Sequence, residues 1–395
     1  MKILYATNLP AEELRLIGSG KKDITKDREH FLFPLIGYFY EQGDEIIIIS
    51  TSREIERSEK YCIPHMTIKI VKLEKHGNIS ALLNFQNDIQ RIKRSIQEEG
   101  ADLYHAHWSY EYADACLKIN PNKTIITVHD CPEKVCPAIG NFYWRRRLNL
   151  GNRVLRKGKN FTAVSPYIEY NIKKLNSGAN VFMIPNCLCE DELEKYSSKT
   201  IAPNLQNDSF HILCVNNGFN NIKNTTTAML AFERFHKKHR DVILNMYGDG
   251  YEQGGKADKW ASEHLDTANI VFHGRKCRKE IMEAFRAADI FLHTSQEESF
   301  GLVYLEAMAS ETAIIAGKDS GATAWVLDNG KCGALVNVNC VQEIYDSLEK
   351  LYMSENLREE YRKRGKDRLR KHFMFAQNVL EYQHVYDQTL KQMES

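Results

Sequence analysis

No apolar run in the chain approaches the roughly 20 residues that a membrane-spanning helix needs, so any contact with a bilayer is expected to be peripheral. The start, Met1-Lys-Ile-Leu-Tyr-Ala6, lacks the apolar core of a secretory leader. The 10 cysteines form no paired C-x-x-C set, which removes the common zinc and dithiol motifs. Reduced thiols in a cytoplasmic protein are the simplest expectation. Neither sign of charge is in surplus: 53 Lys and Arg stand against 52 Asp and Glu, for a net charge of +1. With no base-reading motif either, nucleic acid is not an expected partner. Leu4 to Ala6 is not followed by a G-x-G-x-x-G turn, which argues against a dinucleotide oxidoreductase.

What is present is alternation. At 395 residues the chain exceeds one core of usual size, so two domains are expected. In the first half, short apolar runs read as strands at 2–6, 45–50, 67–73, 102–107, 123–129, 160–165 and 181–185, with amphipathic helices such as 29–41, 80–98 and 166–175 between them. The second half repeats the scheme, with strands at 211–216, 242–247, 269–273, 289–295, 313–316 and 333–336. Strands spaced by helices of this length predict parallel sheets covered on both faces. The fold class is α/β, two doubly wound Rossmann-like domains at 1–190 and 209–370. A polar linker is expected at 191–208, and a C-terminal helix at 371–395 packing back on the first domain.

In such sheets ligands bind beyond the carboxyl ends of the strands, so residues that follow strands are the candidates. The stretch Asp289 to Ala309 reads as a strand, a loop holding Glu298, a release at Gly301, and a helix holding Glu306. The two carboxylates cannot share a helix face and are expected to touch different parts of one ligand. The backbone amides of Phe300, Gly301 and Leu302 point out of the helix start, where an anion is favoured. Asn217-Gly218 and Lys223 follow another strand. A lysine beside a helix N-terminus opposes the dipole, which an anionic ligand would explain. Gly248-Asp-Gly250 and His273-Gly-Arg275 close two more strands with turns that permit close backbone approach. In the first half, His105-Ala-His107-Trp108 and His129-Asp130 end strands. No carboxylate is spaced to complete a metal set, so hydrogen bonding to a polar ligand is preferred over a metal.

In this order, Lys223, Gly248-Asp-Gly250, Gly274, Ala288-Asp289, the pair Glu298 and Glu306 and Gly333-Ala-Leu-Val336, with His129, Ser165 and Pro185-Asn186 before them, resemble the retaining glycosyltransferases of the GT-B fold. That family includes sucrose synthases and bacterial mannosyl- and glucosyltransferases of surface-glycan assembly. The resemblance implies two Rossmann-like domains facing a central cleft and a nucleotide-sugar donor, UDP or GDP being the expected nucleotide. It implies no metal and no further cofactor. His129, Lys223 and Glu298 would be catalytic. Glu306 would hold the ribose, Glu298 the donor sugar, and Lys223 with the amides of Phe300 to Leu302 the diphosphate. Gly20, Asn217, Gly248, Gly250, Arg275 and Ser299 would complete the donor contacts, with Gly18-Ser-Gly20 allowing the first domain's backbone near the phosphates. The chain departs from the family where Asn217-Gly218 replaces a Gly-Arg pair. It departs again at Ser320-Gly321-Ala-Thr-Ala324-Trp325, which lacks the acidic residue of a Gly-Gly-Glu pattern.

The acceptor is less legible. Phe142-Tyr-Trp144-Arg145-Arg146-Arg147, followed by Arg153, Arg156 and Lys157, combines aromatics with dense positive charge. Such a helix suits an anionic membrane or a lipid diphosphate acceptor, at about 1 kcal/mol per basic residue near the surface. A solvated basic helix is the plain alternative. The functional expectation is a cytoplasmic hexosyltransferase, peripheral to the membrane's inner face, that extends a surface polysaccharide such as an O-antigen or capsule. Transfer to a soluble small molecule, or sugar-nucleotide binding without catalysis, are the alternatives.

Overall fold

The computed structural model describes residues 1–28, 30–196 and 209–394. It divides into two compact units, Met1–Asn186 with Phe375–Ser395, and Cys187–Met374. In the first unit the strands are β1 Lys2–Ala6, β2 Glu45–Ser52, β3 Glu59–Ile63, β4 Met66–Lys72, β5 Leu103–His107, β6 Thr124–Val128, β7 Asn160–Ala163 and β8 Asn180–Met183. They lie in the order β3-β4-β2-β1-β5-β6-β7-β8. All neighbours are parallel except the hairpin of β3 with β4. Ile46 to Ile49 of β2 are fully buried, as expected of a run with helices over both faces. Strand β3 is the edge, and its Glu-Lys-Tyr-Cys-Ile pattern keeps one face in water.

The second unit holds β9 Phe210–Val215, β10 Val242–Tyr247, β11 Ile270–Gly274, β12 Ile290–His293, β13 Ala313–Gly317 and β14 Ala334–Val336. Their order is β11-β10-β9-β12-β13-β14, and every pairing is parallel. This is the doubly wound Rossmann order. The winding reverses between β9 and β12 here and between β1 and β5 in the first sheet, the two places where such sheets open a crevice.

Two details differ from expectation. The helix expected over 80–98 is two, Gly77–Leu82 and Gln86–Glu99, because Asn84 and Phe85 take positive φ angles of 48° and 60°. Phe85 is fully buried, so its packing holds a backbone turn that L-residues otherwise avoid. Of the expected linker 191–208, residues 197–208 lie outside the described residues. Residues 191–196 instead continue the helix Glu190–Tyr196, with Glu192 buried. By contrast, helix Pro166–Leu175 follows its sequence signals: Ser165 accepts from the Ile168 amide and proline occupies the first turn.

Helix Phe375–Glu394 belongs to the first unit. Val379, Tyr382, Val385 and Tyr386 recur at helical spacing and enter that unit's core beside Tyr5 and Phe39. The Tyr386 hydroxyl lies 2.7 Å from His105 Nδ1 and 3.3 Å from the Tyr5 hydroxyl. Burying each such side chain contributes roughly 1.5–3 kcal/mol, with the hydroxyl contacts fixing register.

Candidate functional site

The strongest cluster forms where β12 ends. His293, the last residue of β12, is buried, and its Nε2 lies 2.9 Å from Glu298 Oε1. Lys223 Nζ, arriving from the loop after β9, donates to the same oxygen at 2.6 Å. Burial alone would raise the Glu298 carboxyl. The charge of Lys223 and the His293 hydrogen bond more than offset it, holding the group well below the usual carboxylate range. Burial in turn lowers His293, so this ring is neutral at pH 7. The Lys223 amide donates to Asn220 Oδ1 at 3.1 Å, and Asn224 sits at φ 49° immediately before helix Thr225–His236. The lysine is thus set by a sharply turned loop.

A cavity of about 320 Å³ opens beside this cluster at the β9/β12 switch point. Its wall includes Asn217, Lys223, Gly248, Arg275, Glu298, Gly301 and Leu302, which the sequence had singled out from four separate stretches. Arg275 is largely exposed, with Asp249 at 3.9 Å. Gly248 is required by sterics: at φ 124°, a Cβ would stand 1.7 Å from the Asn216 carbonyl oxygen. Its amide donates to the Gly274 carbonyl and that of Gly250 to Glu252 Oε2, both at 2.9 Å, so these two glycines shape the wall rather than offering amides to it. Gly250 itself is not part of the wall. Gly301, at φ 84°, starts helix Leu302–Ala309. Phe300 is fully buried against Trp325 and Phe373, which anchors the loop and leaves only its backbone for a ligand. Ser299 is half-buried beside it.

Three polar wall residues were not anticipated. His293 looked like part of an apolar strand. Lys276 adds a cation beside Arg275. Asn216 is buried, yet neither its Oδ1 nor its Nδ2 has a hydrogen-bond partner. A buried amide without partners costs about 1–3 kcal/mol, and a polar ligand in the adjoining cavity would satisfy it.

Glu306 is placed differently. It is buried, and its Oε1 accepts from Arg278 Nη1 at 2.6 Å; it does not line the cavity. Arg278 also grips Glu192 through Nε and Nη2 at 3.1 and 2.8 Å, so one guanidinium ties Glu190–Tyr196 to the helix after β12. The lone cation between two buried carboxylates was invisible in sequence, because its partners lie 28 and 86 residues away.

In the first unit, Gly20 follows helix Ala11–Gly18 at φ 71°, its amide bonded to the Ile17 carbonyl at 3.0 Å. His129 Nε2 lies 2.9 Å from His107 Nδ1, the rings stacked at 5.2 Å, and Phe31 and Trp108 enclose it. Burial brings His129 and His105 down to about 3, and His107 falls well below its ordinary value for the same reason. The group is a neutral, stacked cluster. Among the described residues no set of three His, Cys, Asp or Glu is arranged to hold a metal ion.

The basic helix Phe142–Lys157 is less open than its sequence suggests. Arg147 Nη1 is paired with Glu111 at 2.7 Å and its guanidinium lies 3.8 Å over the Tyr110 ring. Arg153 pairs with Asp114 at 3.2 Å, and Arg146 leans on the Phe142 ring. Of the cluster's basic residues, only Arg145, Arg156 and Lys157 are exposed. Helix Glu111–Leu117 supplies the balancing acids, so the continuous basic face is not there.

Comparisons with known proteins bear on the family and the fold. Residues 197–368 match the family "Glycosyl transferases group 1", and residues 29–191 match "Glycosyltransferase Family 4". An uncharacterized glycosyltransferase of Methanocaldococcus jannaschii is 24% identical over 87% of this chain and 90% of its own. The D-inositol 3-phosphate glycosyltransferase of Paenarthrobacter aurescens is 32% identical over 39% of this chain and 38% of its own. The chain thus spans less than half the length of the curated relatives it matches first. The sucrose-phosphate synthase of Thermosynechococcus elongatus superposes with a TM-score of 0.78 at 15% identity, covering 98% of this chain and 99% of that one, a likeness of fold. With a family 4 segment followed by a group 1 segment on two Rossmann-like sheets, the chain belongs to the glycosyltransferases of the GT-B fold.

Proposed function

We propose that the chain transfers a sugar from a nucleotide-sugar donor, with UDP or GDP as the nucleotide, to a hydroxyl of a carbohydrate acceptor, with retention of configuration. The observation that carries this reading is the convergence of Lys223, Glu298 and the helix start at Gly301–Leu302 on one cavity at a switch point. A diphosphate there meets Lys223 and the helix dipole, with Arg275 and Lys276 supplying the cation missing where Asn217-Gly218 replaces Gly-Arg. As the bond from sugar C1 to the diphosphate breaks, negative charge grows on the leaving oxygen. These fixed cations and dipoles stabilise it without reorganising. The acceptor oxygen bonds to C1 from the same face and its proton passes to the departing phosphate. Glu298 stays ionised and accepts hydrogen bonds from donor-sugar hydroxyls; it is not a proton donor. Glu306, held by Arg278 and set back from the cavity wall, is proposed for the ribose by the family resemblance. The same resemblance assigns His129 and Gly20 of the first domain to the donor sugar and the phosphates.

The finer reading is extension of a surface polysaccharide at the inner face of the membrane. Its support is the exposed remainder of the basic helix, Arg145, Arg156 and Lys157. A second reading, transfer to a small soluble acceptor, is supported by relatives named for inositol phosphate and sucrose phosphate. Release of nucleoside diphosphate from a panel of UDP- and GDP-sugars tests catalysis. The wild type should turn over at least one donor, and Glu298→Ala should lose at least a hundredfold. Equal background release by both proteins would overturn the reading.

A further inference from the structure

The first unit contains its own cavity, about 410 Å³, at the β1/β5 switch point. It is walled by the loops after β1, β2, β5 and β6 and by the basic helix, and the cavity itself was assigned no ligand above. Aromatic side chains dominate one side: Trp108, Tyr110, Tyr143 and Trp144. Flat aromatic faces of this kind pack against the C–H faces of sugar rings and give a phosphate nothing.

The two cations on the wall are already neutralised. Arg53 donates to the buried Asp88 at 2.9 Å, to Ser80 Oγ at 3.1 Å and to the Glu74 carbonyl. Arg147 donates to both oxygens of Glu111, at 2.7 and 3.1 Å, and to the Tyr143 hydroxyl at 3.1 Å. Polar capacity nonetheless remains. Asp130 receives the Tyr110 hydroxyl on Oδ2 at 2.8 Å, but its Oδ1 is buried and has no partner, and the buried Arg147 Nε likewise has none. One spare acceptor and one spare donor flank the same tyrosine ring, and a hydroxyl can serve both.

Resting on the glycosyltransferase reading above, we infer that this cavity holds the acceptor as an uncharged, hydroxyl-rich sugar ring and selects against a phosphorylated one. Asp130 reinforces the selection. Its carboxyl stands on the cavity wall with Oδ1 unpartnered, an acceptor for a hydroxyl and not a partner for a phosphate. This preference is opposite to what the names of the inositol phosphate and sucrose phosphate relatives would suggest for this chain.

Isothermal titration of the full chain, with UDP or GDP at saturation, decides it. The probes are methyl α-glycosides of glucose, mannose, galactose and N-acetylglucosamine, against glucose 6-phosphate and mannose 6-phosphate. At least one methyl glycoside should saturate at least tenfold more tightly than either sugar phosphate. Trp144→Ala, a half-buried helix position, should weaken that binding at least tenfold while leaving the thermal shift caused by the nucleotide unchanged. Tighter binding of a sugar phosphate, no saturation by any glycoside, or an unaffected Trp144→Ala would each overturn the inference. The comparison on the unmodified chain stands even if the variant does not fold. Nucleotide binding without glycoside binding sinks this inference alone, whereas absence of nucleotide binding sinks the donor reading beneath it.

Discussion

Lys223 Nζ and Glu298 Oε1, 75 residues apart in sequence, stand 2.6 Å from each other at the mouth of one switch-point cavity. The pair joins the cation proposed for a diphosphate to the carboxylate proposed for a donor sugar, so the two proposed roles are electrostatically coupled. Lys223→Ala removes transition-state charge stabilisation, and kcat should fall about 100- to 1000-fold. Glu298→Gln keeps the shape but loses the charge that holds Lys223 in place, and should cost about tenfold or more in both kcat and KM. Steady-state kinetics on the two variants and their double mutant should show strong non-additivity.

Gly248 and Gly254 offer a matched steric test. Both have positive φ, but a Cβ on Gly248 meets the Asn216 carbonyl at 1.7 Å, whereas one on Gly254 meets nothing within 4 Å. Gly248→Ala should destabilise the second unit by about 3 kcal/mol or more. Gly254→Ala should cost only about 1–2 kcal/mol for its left-handed backbone. Urea unfolding monitored by circular dichroism separates the two.

The Glu192–Arg278–Glu306 triad predicts a stability effect rather than a purely catalytic one. Arg278→Met strands two buried carboxylates, at about 3–5 kcal/mol, and should lower the melting temperature sharply. Arg278→Lys should recover part of the loss, because a lysine cannot span both acids with a rigid fork.

Acidification should destabilise the first unit. His129 and His105 are lowered to about 3 and His30 to about 4, so each is neutral when folded and takes up a proton on unfolding once pH drops below about 6.5. Their contribution is complete above pH 6.5 and is lost as pH falls toward the folded values. The slope approaches about 1.4 kcal/mol per pH unit for each histidine. Asp130, raised to about 6, works in the opposite direction and removes part of the slope between pH 6 and 4. Calorimetry from pH 7.5 to 5 should show a falling melting temperature, and His129→Asn should flatten the curve.

Much of this was legible in the sequence because a buried parallel strand is a short continuous apolar run. Ile46 to Ile49 and Ile290 to Leu292 could be read directly, and the residues after such strands became site candidates. Strand β3 escaped because Glu59–Ile63 is a charged edge segment. The break at Asn84–Phe85 escaped because left-handed residues other than glycine leave no local signal. The pairings that the sequence did not show share one cause. Arg147 reads as a surface charge until Glu111 is seen beside it, and Glu306 as an unpaired carboxylate until Arg278 is. Pairings over tens of residues are decided by tertiary packing.

The proposed donor site lies in the second unit, and a thermal-shift panel of UDP-, GDP-, ADP- and CMP-sugars tests it most directly. A ligand that binds only the folded chain raises its melting temperature by mass action, by about 2.7 kcal/mol of stability at a hundredfold excess over Kd. At least one UDP- or GDP-sugar should raise the melting temperature of the wild type, and Lys223→Ala should abolish that rise. A panel in which no sugar nucleotide moves the transition would contradict the account.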